Sequence, residues 1–534
     1  YLVESPQVDM VSFTGSKAVG TWIYETAAGV VPQKGGIKRV VAEMGGKNAI
    51  IVFPDADLDE TVLGILQSAF SHAGQKCSAC SRVLVHRQIY RRLAQRLVAA
   101  ARSLPIGPAD DPGTIINPVI DSTARERILS EGERASREGQ VLLDTLQCEG
   151  DQEYCLGPLI MTVEPQQARE AYVTREEIFG PVLPLVPFDT EAEAVSLVNG
   201  TAYGLTLGIF SRSPGTISRM VRASRVGNIY VNREITGARV GIEPFGGLQL
   251  SGTGPKTGGE EYLQSFLTRR AGFRQGSPVE TSTPNHVVPA YPLPSLSSWE
   301  AEPIARRLQR LSNALAQLDR CSSELNQVLD SPCAGVASNE GGEIDPAARI
   351  REVVAEVLGA VDEIALRQPT LEIPGQTNLV RWDTPRGIGL VAVDDGADPS
   401  ILAALIFAAL LAGNGVVALA WDRLYPVAGW LVDQLWQAGV PEEVLALAPA
   451  NTPPATVAAG PVNFAAADLK IEATRTLYQV LGITNEEEGQ RWLKALISMD
   501  EGIRPGEPGF LRQFALPKAV AVRTLRHGAD LELV

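Results

Sequence analysis

Residues 39–77 read RVVAEMGGKNAIIVFPDADLDETVLGILQSAFSHAGQKC. Two short β-rich runs, RVVAEM (39–44) and NAIIVF (48–53), lie on either side of a Gly-Gly pair, and a helical pattern follows over 58–74. The same alternation continues outward. VLPLVPF (182–188), TLGIFS (206–211) and GNIYV (227–231) read as strands, and a basic amphipathic stretch over 87–102 reads as a helix with a solvated face. Strands that alternate with helices predict an α/β fold built on a parallel sheet.

A second stretch tests that reading. Residues 401–421, ILAALIFAALLAGNGVVALAW, hold Asn414 as their single polar residue and are long enough to span a bilayer. Gly413-Asn414-Gly415 divides them into a helix-length run and a β-rich run. Glycine just past a helix end is a common stop, and a buried parallel strand is continuously apolar. The expectation is therefore helix, turn and strand, with no transmembrane segment.

The 534 residues carry 47 Lys and Arg against 62 Asp and Glu, a formal charge of −15. A phosphate-backbone binder needs clustered positive charge, so nucleic acid is not an expected partner. Six cysteines (77, 80, 148, 155, 321 and 333) are too dilute for a disulfide scaffold, and four histidines leave little for a metal site. The chain opens YLVESPQVDM, without an initiator Met, which reads as a start inside a larger protein. Pro, Ser and Thr dominate 277–298, a linker signature, after which come two helical segments and a second α/β block. The expected division is 1–272, a linker over 273–299, a helical connector over 300–376, an α/β domain over 377–470, and a tail over 471–534.

Chemistry points to Cys77, in SHAGQKCSACSRVLV, which follows the helix over 58–74 among small polar neighbours. Such surroundings leave a thiol accessible and its thiolate supportable. A buried structural cysteine, or a CxxC redox or zinc pair with Cys80, are the alternatives, and a CxxC without a second pair is weak for zinc. Glu43 precedes Gly-Gly and could serve a nearby thiol as a base for water, or be a surface acid. In VSFTGSKAVG, Gly15 and Ser16 form a strand–turn–helix entry whose N–H groups suit an anion such as pyrophosphate.

FTGS, EMGGKN, GQKC, EEIFGPV and PFGG, in that order, resemble the NAD(P)-dependent aldehyde dehydrogenase superfamily over about residues 1–270. GQKCSACSR, NREITGARVGIEPFGG and SGTGPKTGG are similar to its glutamate-γ-semialdehyde (pyrroline-5-carboxylate) dehydrogenase branch, and most to that module of the long bifunctional proline utilisation A proteins. The resemblance implies an α/β aldehyde dehydrogenase-like fold with parallel sheets. It also implies NAD as cofactor, with FAD only in a proline dehydrogenase domain of the parent, and a cytoplasmic homo-oligomer acting on a small aldehyde.

By that resemblance Cys77 attacks the aldehyde, its own N–H helps hold the oxyanion, and Glu43 activates the hydrolytic water. Glu177 meets the nicotinamide-side ribose with Phe179 packed beside it, and Gly15 and Ser16 meet the pyrophosphate. Ser78 and the backbone of Gly237 and Ala238 would hold the substrate carboxylate, with Phe245 against its aliphatic part. The family's segment before FTGS, bearing the front half of the Rossmann part, the oxyanion Asn and a ribose-binding Lys, is expected to lie outside this sequence. Residues 385–449 resemble that segment. Yet VAVDDGAD has no Asn at the oxyanion position, VALAWDR has no Lys at the ribose position, and FAAAD lacks the Gly-Ser turn. The expectation is a degenerate aldehyde-dehydrogenase-like domain packed on the catalytic module, with a circularly permuted working enzyme as the alternative. A non-catalytic scaffold and thiol-based acyl transfer or redox chemistry through Cys77 and Cys80 are the competing functions.

Overall fold

Most of the runs that read as strands are buried along their whole length: NAIIV, VLPLVPF, TLGIF and NIYV show no exposed residue. The computed structural model of the protein describes residues 1–33, 38–148, 154–259, 262–263, 265–266, 297–329, 345–366, 368–369, 376–393, 398–420, 424–448, 462–467, 497–498 and 510–523. Two strands near the start, β1 (Met10–Thr14) and β2 (Arg39–Glu43), pair in parallel as a small sheet, with the helix Lys17–Ala28 between them in sequence.

The next strands are β3 (Asn48–Val52), β4 (Cys80–His86), β5 (Gln140–Asp144), β6 (Leu159–Thr162), β7 (Val182–Phe188), β8 (Tyr203–Gly204), β9 (Thr206–Phe210), β10 (Asn228–Val231) and β11 (Leu248–Gln249). From the C-terminal part come β12 (Gln368–Pro369), β13 (Gln376–Pro385), β14 (Ile388–Val393), β15 (Gly415–Ala420), β16 (Leu445–Ala448), β17 (Val462–Ala467), β18 (Ile497–Ser498) and β19 (Ala515–Arg523). A ten-stranded sheet runs β12-β13-β19-β10-β9-β3-β4-β7-β6-β5. Its interior pairs are parallel and its edge pairs, β5–β6, β13–β19 and β12–β13, are antiparallel. A five-stranded sheet, β16-β15-β14-β17-β18, is parallel throughout.

The run over 401–421 resolves as the helix Pro399–Leu411, then Gly413 at φ +93°, then β15. That helix is buried from Leu402 to Leu411, which explains why no polar face interrupts it. Among the described residues no helix is long and apolar enough to cross a membrane.

Strand pairing crosses the boundaries drawn from composition. β13 opens the segment grouped with the C-terminal domain and β19 belongs to the tail, yet both complete the large sheet, with β19 parallel to β10. Their side chains enter both cores: Leu379 and Val520 join the large-sheet core, while Val380 and Ala519 join the C-terminal one. The expected linker over 273–299 also ends early. Residues 267–296 lie outside the described residues, but Ser297–Ala301 is a helix, and Trp299 is fully buried with its Nε1 donating to Leu410 O at 2.9 Å.

Candidate active site

Open α/β sheets usually bind ligands outside the carboxyl ends of their strands. The candidate residues gather at the carboxyl ends of the small sheet and at the amino ends of the large one. Gly15 follows the last residue of β1, and Glu43 is the last residue of β2. They meet the amino ends of β3, β4, β9 and β10. Asn48, first in β3, is the hub: Nδ2 donates to Cys77 O at 2.7 Å and Ala79 O at 2.8 Å, and Oδ1 accepts from Thr206 N, first in β9, at 3.0 Å. Thr206 Oγ1 donates to Ser78 O at 3.3 Å. The nucleophile loop is thereby fastened to the starts of two neighbouring strands. The motif EMGGKN contains Asn48 without assigning it a role; its signal is a polar residue opening an otherwise apolar strand.

Cys77 reaches this edge through an abrupt chain reversal. The helix Leu58–Phe70, capped by Asp57 on the N–H groups of Asp59 and Glu60, ends in His72, Ala73 and Gly74 at φ +57°, +53° and +70°. Two consecutive non-glycine residues in the left-handed region are strained, and such strain persists where surrounding contacts hold it. Cys77 is half-buried. Burial pushes its thiol up, the Glu177 and Glu43 carboxylates push it further, and the backbone N–H groups of Ser78 and Cys77 pull it back. Cys80 is different. Its sulfur donates to Arg82 O at 3.4 Å, and burial pushes its thiol to about 12, so it is inert beside Cys77.

Glu43 is 8% exposed, and it accepts a hydrogen bond from Gly247 N at 3.1 Å through Oε2, while Oε1 has no partner. A Cβ on Gly252 would lie 2.9 Å from Oε1, so only glycine lets that carboxylate sit here. Burial raises the Glu43 carboxyl well above the usual range, opposed by the Gly247 N–H and by the Lys256 ammonium. Lys256 is pinned by Gly227 O and Asn228 Oδ1 at 2.7 Å and Gly246 O at 2.8 Å, so it fixes the loop that donates to Glu43. The motif SGTGPKTGG contains it, without assigning it a role.

Glu177 lies against the Gly-Gly pair, with Oε1 accepting from Gly46 N at 3.1 Å. A Cβ on Gly45 would fall 1.9 Å from its Oε2, a direct collision. Burial raises this carboxyl too. Behind it, Lys47 is 3% exposed with no hydrogen-bond partner for Nζ, and burial and Arg82 lower it to about 7.

The other expected site residues are placed as follows. Ser16 caps the helix Lys17–Ala28 through Val19 N at 3.3 Å. Gly15 donates its N–H to Glu43 O at 3.0 Å, so this one group is paired within the chain. The closeness of Gly15 to the Phe13 ring, 2.4 Å for a Cβ, explains the glycine. Phe179 is 39% exposed at φ +54°. Ser78 is buried, and Phe245 is half-buried and pairs with Thr257 through N–H···O bonds of 2.9 and 2.8 Å. Gly237 (φ +83°) is exposed and Ala238 half-buried, on a loop whose ends are tied by Glu243 to Arg233 at 2.8 Å and to Arg239 at 2.7 Å. Gln376 of β13 joins this knot, accepting from Arg239 Nη2 at 3.0 Å and from Arg233 Nη1 at 2.5 Å. Among the described residues no cluster of His, Cys, Asp and Glu suits a metal ion.

The chain is similar to several known proteins. The 1-pyrroline-5-carboxylate dehydrogenase 1 of Halalkalibacterium halodurans is 41% identical over 266 residues, covering 49% of this chain and 50% of that protein. The 1-pyrroline-5-carboxylate dehydrogenase of Bacillus subtilis is 41% identical over 265 residues with the same coverage. A Thermus 1-pyrroline-5-carboxylate dehydrogenase solved with bound NAD is 42% identical, with a TM-score of 0.48 over 50% of this chain and 51% of that one. The chain thus spans about half the length of these relatives. Proline utilization A from Bdellovibrio bacteriovorus is 42% identical, with a TM-score of 0.48 over 52% of this chain and 29% of that one. Residues 1–271 of the 534 match the profile of the aldehyde dehydrogenase family, and the chain belongs to that family.

Proposed function

We propose that the chain carries the nucleophile and the base of an NAD-dependent dehydrogenase that oxidises L-glutamate γ-semialdehyde to L-glutamate in proline catabolism. The observation that carries this reading is the hub at Asn48. It fixes the Cys77 carbonyl while two carboxylates, Glu43 and Glu177, stand close enough to act on the Cys77 sulfur.

The Cys77 thiolate, supported by the backbone N–H groups of Ser78 and Cys77, attacks the aldehyde carbon, and the Cys77 N–H would help hold the oxyanion that develops. NAD, when bound, would supply the hydride acceptor, and Cys77 would then hold the acyl group as a thioester. Glu43 then takes a proton from the water that releases the acid. Its burial suits the task, because a carboxylate with a raised pKa is a stronger base near neutrality. Glu177 is offered to the nicotinamide-side ribose by the Gly45-Gly46 turn with Phe179 beside it, and the Ser16 end of its helix is offered to the pyrophosphate. The Ser78 hydroxyl and the Gly237-Ala238 backbone hold the substrate carboxylate without a fixed counter-charge, and Phe245 covers the methylenes.

The test is NADH formation from the semialdehyde, run beside hydrolysis of an activated ester, which needs Cys77 and Glu43 and no cofactor. Both activities are expected to vanish in Cys77→Ala. Persistence of either would overturn the assignment. Ester hydrolysis without NAD binding would restrict this chain to a scaffold that keeps an acylable thiol.

A further inference from the structure

Two cysteines that the proposed chemistry does not use stand opposite each other at the outer edge of the large sheet. β5 and β6 are antiparallel, with Leu143 opposite Ile160 and Asp144 opposite Leu159. The same register continues beyond the strands: Thr145 N donates to Pro158 O at 3.1 Å, and Gln147 is bridged to Leu156. The next opposed positions are Cys148 and Cys155. Directly opposed residues of an antiparallel pair point to the same face with Cα atoms about 4.5–5.5 Å apart, inside the roughly 4.4–6.8 Å window of disulfides. Both thiols are unbonded; Cys148 is half-buried and Cys155 is 3% exposed. Burial raises the Cys148 thiol, the neighbouring Cys155 raises it further, and Arg125 and the Gly157 N–H pull it back.

The geometry points to Cys148 and Cys155 as a dithiol–disulfide pair, a redox modification site separate from Cys77, whose oxidant is a low-molecular-weight disulfide such as oxidised glutathione. The more accessible Cys148, as thiolate, attacks one glutathione sulfur, forming a mixed disulfide and releasing one glutathione thiolate. Cys155, as thiolate, then attacks the Cys148 sulfur, closing the protein disulfide and releasing the second glutathione thiolate. The protons of the two cysteines end on the two glutathiones, and the two electrons lost by the protein reduce the glutathione disulfide.

The pair sits on a path to the nucleophile loop. Tyr154 O accepts from Val119 N at 2.8 Å, and the adjacent Ile120 N donates to Gln75 Oε1 at 3.1 Å, in the segment that leads to Cys77. Oxidation therefore braces the segment beside Tyr154, whose partner Val119 adjoins the residue that holds Gln75.

The experiment incubates the full chain with oxidised glutathione, then alkylates the remaining thiols and maps peptides by mass spectrometry. The expected result is a Cys148–Cys155 cross-link, reversed by reductant, that exceeds the mixed disulfide on Cys148 at least tenfold. Cys155→Ser should halt at a stable mixed disulfide on Cys148, while Cys148→Ser should leave Cys155 unmodified. A wild-type chain that stops at the mixed disulfide, or that keeps both thiols alkylatable, overturns the proposal. Cross-linking of either cysteine to a different partner does so as well.

Discussion

Two buried asparagines do the same structural work in the two α/β regions. Asn48 opens β3 at 2% exposure, and Asn414 immediately precedes β15 at 3%. Asn414 accepts from Arg386 N at 2.7 Å and Gly387 N at 3.0 Å, and donates to Ala409 O at 3.0 Å and Phe514 O at 2.9 Å. Each ties the start of a parallel strand to its neighbours, because buried backbone groups at strand starts need partners. The difference lies in what the tied loops bear. Around Asn48 they carry Cys77 and Ser78, within reach of Glu43 and Glu177; around Asn414 the partners are backbone groups of a connecting turn, a helix end and the entry to β19. The same scaffold device thus supports the proposed reactive centre in one half and backbone connections in the other.

Removing the nucleophile breaks the comparison most strongly. Cys77→Ala should lower acyl transfer by more than about a thousandfold in a steady-state assay, since the replacement offers no nucleophile. Asn414→Ala should leave the reactivity of Cys77 unchanged.

The asparagines themselves give the next effect. Asn48→Ala and Asn414→Ala each strand buried partners, at about 1–3 kcal/mol for each unpaired group. Urea unfolding should show comparable losses for both. Only Asn48→Ala should also change the alkylation rate of Cys77, because only that variant frees the Cys77 carbonyl.

Lys256→Met sharpens the electrostatic side. Glu43 must be ionised to act as a base, its carboxyl is raised by burial, and the Lys256 ammonium holds it lower than burial alone would. Removing that charge raises it further, so the acid limb of the deacylation pH profile should move to higher pH. The same sign governs stability: a carboxyl raised on folding costs stability as pH climbs from the usual carboxylate range through its folded pKa. An unmoved acid limb would separate Glu43 from that step.

Gln376→Ala tests the seam between the halves and should cost least, on the order of 1 kcal/mol, because the Arg233–Glu243 pair persists without it. Hydrogen exchange should quicken in the loop around Gly237 and Ala238, and the five-stranded sheet should be unaffected.

Much of the local structure was legible in the residues. β7 spans the full run expected over 182–188, the basic helix covers Arg87–Arg102, and the apolar run over 401–421 divides at its glycine. These depend on period and on local stop signals. The ordered motifs likewise led to Glu43, Cys77, Ser78 and Glu177, and the fold brings these together at the edge fastened by Asn48. Lys256 and Gln376 were not legible, since a lysine near a Gly-Pro turn and a glutamine opening a strand look like ordinary surface residues.

The amino-acid sequence alone determined the family, the α/β class and the candidate reactive side chains, because these follow from residue type, spacing and order along the chain. Tertiary structure decided which strands are neighbours and what each buried polar group touches. β19 enters the large sheet beside β10 although nearly three hundred residues separate them, its Lys518 Nζ reaching Val221 O at 2.9 Å. The Gly15 N–H is paired with Glu43 O within the chain. Hydrogen bonds and burial depend on distance in space, and one strand's local pattern does not specify which distant strand satisfies its edge.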